Sequence, residues 1–140
     1  MKSLNLLMGV LIAILVGLAT WWTFRVNMEV GLRLVDNHCT VCHDDTKRAK
    51  NRKGPPLWGV YGREAGTAEG YGYSAAFMDK VAENPFVWDE GHLSAFIEDP
   101  NAFISNSEMG QAESEHTLYF TGIRNAANRR DVIAYLKTLQ

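Results

Sequence analysis

Cys39-Thr40-Val41-Cys42-His43 decides how the rest of the chain is read. Two thiols three positions apart can each add across one vinyl group of a porphyrin, and the histidine directly after them then lies under the iron. The chain contains no other cysteine, which excludes a disulfide framework and a four-cysteine zinc site. A thiol redox pair also uses C-x-x-C, but it follows a strand and opens a helix in a βαβ unit, and no such pattern surrounds Cys39. The motif predicts one covalently bound haem c, with Cys39 and Cys42 forming the thioethers and His43 as an axial ligand of the iron.

The N-terminus adds an export signal. No charged residue occurs from Ser3 to Phe24, Leu6 to Ala19 is almost wholly apolar, and Lys2 and Arg25 flank the run. As a helix these 22 residues rise about 33 Å, enough to cross a hydrocarbon core. Trp21 and Trp22 stand at the outer end, where indoles favour the membrane interface. Residues 1–25 are thus expected to be a transmembrane anchor, with a secretory signal cleaved after Gly17-Leu18-Ala19 as the alternative. Either way residues 26–140 are exported, which suits thioether attachment of haem.

The remainder is one small domain. Its net charge gives no sign of nucleic acid: the whole chain stands at −2. Charge is clustered, however, at Lys47, Arg48, Lys50, Arg52 and Lys53, just after the motif. Such a run is commonly a solvated loop, but beside a haem edge it can steer an acidic redox partner. Apolar periodicity predicts a helix over Met28 to His38, where Gly31 permits a close helix crossing. Ser74 caps a short helix through Phe77, Met78 and Val81, with Met78 filling a core gap. Asp89 caps another through Leu93, Phe96 and Ile97, stopped at Asp99-Pro100. The last helix, about Ala126 to Leu139, carries Val132, Tyr135, Leu136 and Leu139 on one face. No strand is predicted. So much loop makes a poor core for this length, and a buried haem supplies the missing apolar centre.

A carrier iron needs a second strong axial ligand. Of the five methionines, Met109 lies beyond Pro100 in a predicted loop, where no helical face buries it. His116 in the same loop is its rival. His38 abuts Cys39 and cannot reach the opposite haem face, and His92 begins a helix in a solvated position.

From about Met28 onward the chain resembles the class I c-type cytochromes, mitochondrial cytochrome c and its bacterial relatives. The resemblance rests on Gly31 before the haem motif, on Gly54-Pro55-Pro56-Leu57-Trp58-Gly59 and Tyr61-Gly62-Arg63, and on Gly70-Tyr71-Gly72-Tyr73 and Trp88. It continues through Gly122-Ile123-Arg124 and Asp131-Val132-Ile133-Ala134-Tyr135-Leu136-Lys137. It implies an all-α fold of short helices and loops wrapped around one haem, preceded here by the hydrophobic N-terminal helix. It implies that the Pro55 carbonyl accepts the proximal histidine's ring N–H, and that Arg63, Tyr73 and Trp88 meet the propionates. An ungapped register from Trp88 supports Met109 as the ligand, with Ser107 keeping a hydroxyl near the sulfur. Two departures stand out. Phe96 replaces a tyrosine common in the family, and Gly110 to Tyr119 is inserted where the family has a single residue.

The function implied is a single-electron carrier, not an enzyme. It would sit at the periplasmic face of a bacterial inner membrane, or free in the periplasm after cleavage. Its partners would be respiratory or photosynthetic membrane complexes: a quinol–cytochrome c oxidoreductase as donor and a terminal oxidase or reductase as acceptor. The alternative is a haem enzyme or gas sensor for peroxide, CO or NO, with an open or weakly held sixth position.

Overall fold

Two helices far apart in sequence frame the molecule. The computed structural model of the chain describes residues 2–105 and 120–140. Helix α1 runs over Lys2–Phe24, α2 over Met28–His38, α3 over Ala75–Glu83, α4 over Glu90–Glu98, α5 over Pro100–Ser105 and α6 over Ala126–Leu136. Among the described residues the one β feature is an isolated bridge between Glu64 and Val87, so the all-α expectation holds.

Helix α2 begins where Asn27 turns its side-chain oxygen onto the N–H groups of Glu29 and Val30, at 3.1 and 3.2 Å. Asn125 does the same for α6, at 2.9 Å from Ala127 N and 3.1 Å from Asn128 N. These caps satisfy donors that a helix leaves orphaned in its first turn. The two helices cross at Gly31, where a Cβ would fall on the backbone carbonyl of Asp131. The Asn27 N–H donates to the Asp131 carboxylate at 2.9 Å, which ties the start of α2 to α6. Val35 and Val132, both fully buried, meet beneath the crossing in one core with Ile133, Leu136 and Leu139.

The Ser74 and Asp89 caps form as expected, with Ser74 Oγ accepting from Phe77 N at 3.3 Å and Asp89 Oδ1 from His92 N at 2.8 Å. Helix α4 stops before Pro100, but the chain does not enter a loop there. Proline fits the first position of a helix, since that N–H has no intrahelical partner, and α5 starts on it. The Asp99 carboxylate accepts from Ala102 N at 3.0 Å and from Arg124 Nη2 at 2.9 Å. Those bonds, the Ala102 amide first and then Arg124, hold the Asp99 carboxyl below the usual range. Folding therefore favours the ionised form, and its contribution is lost as pH falls through the depressed folded-state value. Asp99→Asn is expected to lower urea stability at pH 7 and to differ less from the parent at strongly acidic pH, as the carboxylate's contribution is lost. Equal losses at both pH values would show that the charge is not what matters.

Met78 corrects the sequence reading. Its side chain is 41% exposed and lies over Gly66, whose absent Cβ would meet the sulfur at 3.1 Å. The helical face of α3 that enters the core is carried by Phe77, and Met78 lies on its flank.

In α1 the side chains described, Met8 to Leu18 and Trp21, are all exposed. Among the described residues no helix is long and apolar enough to cross a membrane. The helix is present, and the span remains an expectation from the sequence.

Candidate haem site

The turn that ends α2 places the motif. Cys39 N donates to Val35 O at 2.8 Å, and Cys42 N and His43 N both donate to Cys39 O, at 3.0 and 2.9 Å. This tight turn brings both thiols and the imidazole to one wall of a cavity of about 610 Å³, within the range of small-molecule and cofactor sites. Burial, then Asp45 and the neighbouring Cys42, push the Cys39 thiol up to about 12. A redox dithiol needs the opposite, a depressed thiol that is ionised near neutrality. The raised Cys39 thiol does not fit that role.

The histidine is held on two sides. Its Nδ1 lies 2.7 Å from the Pro55 carbonyl. A carbonyl can only accept, so Nδ1 carries the proton and Nε2 carries the lone pair that a metal needs. Gly54 packs against the ring face, where a Cβ would collide with the imidazole, and its N–H donates to Cys42 O at 2.8 Å. The expected contact with Pro55 is therefore present.

Arg63 and Trp88 come together because residues 62–65 zip to residues 86–88. Gly62 N donates to Trp88 O at 3.0 Å, Trp88 N to Arg63 O at 2.9 Å and Ala65 N to Phe86 O at 2.9 Å. Arg63 gives Nη2 to Pro56 O at 2.8 Å and Nη1 to Trp58 O at 3.4 Å. Its buried Nε has no hydrogen-bond partner among the described residues, and burial lowers the guanidinium pKa. A buried cationic donor left unsatisfied is costly, and the side chain lines the cavity, so an anionic acceptor bound there would relieve it. Tyr73 also lines the cavity, its hydroxyl accepting from Ala68 N at 3.2 Å. Trp88 is buried between Phe77 and Phe96, with ring centroids 6.2 and 5.3 Å away. An apolar chamber with cationic and phenolic groups at its wall, two thiols and one imidazole nitrogen fits a porphyrin with carboxylate arms. Among the described residues no three His, Cys, Asp or Glu side chains group to hold a bare metal ion.

Met109, its rival His116 and Ser107 lie outside the described residues. Met8, Met28 and Met78 are exposed, and no described methionine lines the cavity. His38 lies at the cavity wall, its ring 6.1 Å from Phe120. His92 pairs with Asp89 at 2.9 Å and stacks on Phe86, and is not among the residues lining the cavity. The basic residues Lys47, Arg48, Lys50, Arg52 and Lys53 are all exposed, but they are not equivalent. Lys53 lines the cavity, Lys47 sits 5.5 Å over the Trp58 ring, and Arg52 turns back to Thr40 O at 3.0 Å.

Two residues that matter here were not singled out from the sequence. Asp44 is 3% exposed and gathers the loop after His43. Arg129, also buried, donates to Ser94 Oγ at 3.1 Å and to the carbonyls of Ile123 and Arg124 at 2.9 and 2.8 Å, and pairs with Glu98 at 3.1 Å. It ties α6 and its approach to α4, one wall of the cavity. The aspartate does leave a local signal, since Asp44 with Thr46 two residues on is a side-chain-to-backbone turn pattern. Arg129 leaves none, because its partners are dispersed along the chain.

No family model matches the chain. Individual relatives do. It is 36% identical over 112 residues to a cytochrome c of Euglena viridis, covering 80% of this chain and 96% of the relative. It is 37% identical over 106 residues to cytochrome c-550 of Novispirillum itersonii, covering 76% and 93%. With cytochrome c2 iso-2 of Magnetospirillum fulvum it shares 39% over 101 residues, covering 72% and 91%. Such identity, over nearly the whole of each relative, agrees with the cavity wall built by Cys39, Cys42 and His43. The chain belongs to the class I c-type cytochromes and is an electron carrier with one covalently bound haem c, not an enzyme.

Proposed function

We propose that Cys39 and Cys42 form the two thioethers, that His43 Nε2 and Met109 Sδ are the axial ligands, and that residues 26–140 are the electron-carrying domain. When bound, the haem supplies an iron that gains and loses one electron. The chain's own part is to exclude water and to fix the ligands. Phe77, Trp88, Leu93 and Ile97 keep the chamber apolar, and the Pro55 carbonyl fixes the proton on His43 Nδ1. Arg63 and Tyr73 receive the propionates, and Trp88 packs beside them. The observation that carries this reading is the cavity wall itself, lined by two thiols and an imidazole whose Nδ1 is committed to a carbonyl.

Met109→Ala tests the ligand set. The ferric protein is expected to lose its weak long-wavelength sulfur-to-iron band, and the ferrous protein to bind CO rapidly. A variant that keeps the band would remove Met109 from the iron and bring His116→Ala forward as the next test.

We place the carrier at a bacterial inner membrane, with residues 1–25 as its anchor and the haem domain in the periplasm. A soluble periplasmic form would follow from cleavage. The donor is a quinol–cytochrome c oxidoreductase and the acceptor a terminal oxidase or reductase. Lys47, Arg48, Lys50 and Lys53 present exposed cations to an acidic docking face, an attraction that weakens as salt rises. Only Arg25 and Val26 separate the end of α1 from Asn27, whose N–H is bound to Asp131. An anchored domain would thus stay close to the bilayer. Intact N-terminal sequence and retention in membranes through alkaline carbonate washing are expected. A mature chain beginning at Thr20 in the soluble fraction would establish the cleaved form instead.

A further inference from the structure

The residue next to the histidine is a buried carboxylate that the haem-binding role leaves unexplained. Asp44 Oδ1 accepts from Thr46 Oγ1 at 2.9 Å and Thr46 N at 3.3 Å, and Oδ2 accepts from Lys50 N at 2.9 Å. The Arg52 guanidinium stands 3.8 Å from Oδ1. The Asp44 carbonyl accepts from Leu57 N at 2.8 Å. One residue therefore gathers both the near and the far part of the segment 44–57.

That segment is under local strain. Ala49 has φ +47, a left-handed conformation that costs a non-glycine residue about 1–2 kcal/mol. The turn at Ala49 brings Lys50 N onto the Asp44 carboxylate, so the carboxylate's hydrogen bonds hold the strained turn in place. Beyond the turn, Arg52 N donates to Gly54 O at 3.0 Å and Gly54 N to Cys42 O at 2.8 Å. The next residue is Pro55, whose carbonyl meets His43 Nδ1.

We propose that Asp44 is a positioning residue for His43: it folds the loop that delivers the Pro55 carbonyl, and so sets how strongly the imidazole donates to iron. A tight hydrogen bond at Nδ1 raises the ligand's basicity. Better donation favours Fe(III), so loosening the contact moves the reduction potential upward. The proposal rests on His43 being an axial ligand.

The test uses the holoprotein with Asp44→Ala, Asp44→Asn and, as a control, Thr138→Ala, which removes an exposed hydroxyl donating to Tyr135 O at 2.7 Å, away from this loop and from the cavity wall. Two quantities are read: the reduction potential, and the exchange rate of the His43 Nδ1–H by NMR. Asp44→Ala is expected to raise the potential and to speed exchange about tenfold, the scale of one lost hydrogen bond. Asp44→Asn keeps an acceptor for Thr46 but not one for Lys50, so both readings should move the same way by less. Thr138→Ala should move neither. If Asp44→Ala does not fold, Asp44→Asn decides. Parental values in the Asp44 variants, or equal shifts in Thr138→Ala, overturn the proposal. A ferric Nδ1–H resonance with no paramagnetic displacement also overturns it, and locates the failure in the ligand assignment.

Discussion

Replacing Cys39 and Cys42 together with alanine is expected to leave a chain that releases its haem on denaturation and loses most of its tertiary structure. The reason is the size of the chamber. Sealed cavities in protein cores cost about 24 cal/mol per Å³, so about 610 Å³ sets an upper limit on the order of 15 kcal/mol, and a fraction of that rivals the net stability of a small domain. Haem held without thioethers can dissociate and leave the chamber unfilled, where a thioether-bound one cannot. Denaturing electrophoresis with haem staining should show no stain on the polypeptide, and thermal unfolding should lose its cooperativity. A stained band would mean that the thiols are not the attachment points, and a melting curve like the parent's would mean that the chamber keeps its shape without them.

Gly31→Val is expected to be the most damaging single change outside the site. The α2–α6 crossing has no room for even a Cβ, because the Asp131 backbone carbonyl occupies the place. A glycine in a helix gives up about 1 kcal/mol of propensity relative to alanine, and valine recovers only part of that. Against this small gain, backbone must move from backbone across the main helix contact. Overpacking costs about 1–3 kcal/mol even where side chains can yield, and here none can. A loss of about 3 kcal/mol or more is expected in urea unfolding. The Asn27–Asp131 bond and the buried Val35–Val132 region lie at the same crossing, so folding of the whole domain suffers. A variant within about 0.5 kcal/mol of the parent would show that the crossing is looser than described.

The elements that local chemistry determines were legible in the sequence. Ser74 and Asp89 cap where side-chain oxygens before apolar periods predict, and α2 covers the predicted residues, because these signals act within one turn. The nearness of Cys39, Cys42 and His43 was legible for the same reason, since a single turn places them on one cavity wall. Pro55 was recovered only through family resemblance. Nothing in the local sequence tells that a carbonyl twelve residues on returns to the imidazole.

Other features depend on partners brought in from afar. Helical spacing put Met78 with Phe77 and Val81, but which face of α3 turns inward is decided by Trp88 and Tyr73, which stack near Phe77. Pro100, which stops α4, reads locally as the start of a loop, although the same fixed φ also starts α5. Arg129 carries no local signal, because a buried arginine looks like a surface one until Ser94, Glu98 and two carbonyls are gathered around it. The Arg63 cation stands between these cases. Its position was implied by resemblance, and its unsatisfied Nε gives a physical reason for an anion nearby.

The central claim is a closed iron between His43 and Met109 that passes single electrons. Ferric and ferrous optical spectra of the haem-loaded protein, with CO added to the reduced form, test it most directly. A closed His43–Met109 iron is expected to give a low-spin spectrum with the weak long-wavelength sulfur-to-iron band, and a ferrous spectrum that CO leaves unchanged. A high-spin ferric spectrum, or rapid CO binding, would contradict it and show an iron open to exogenous ligands.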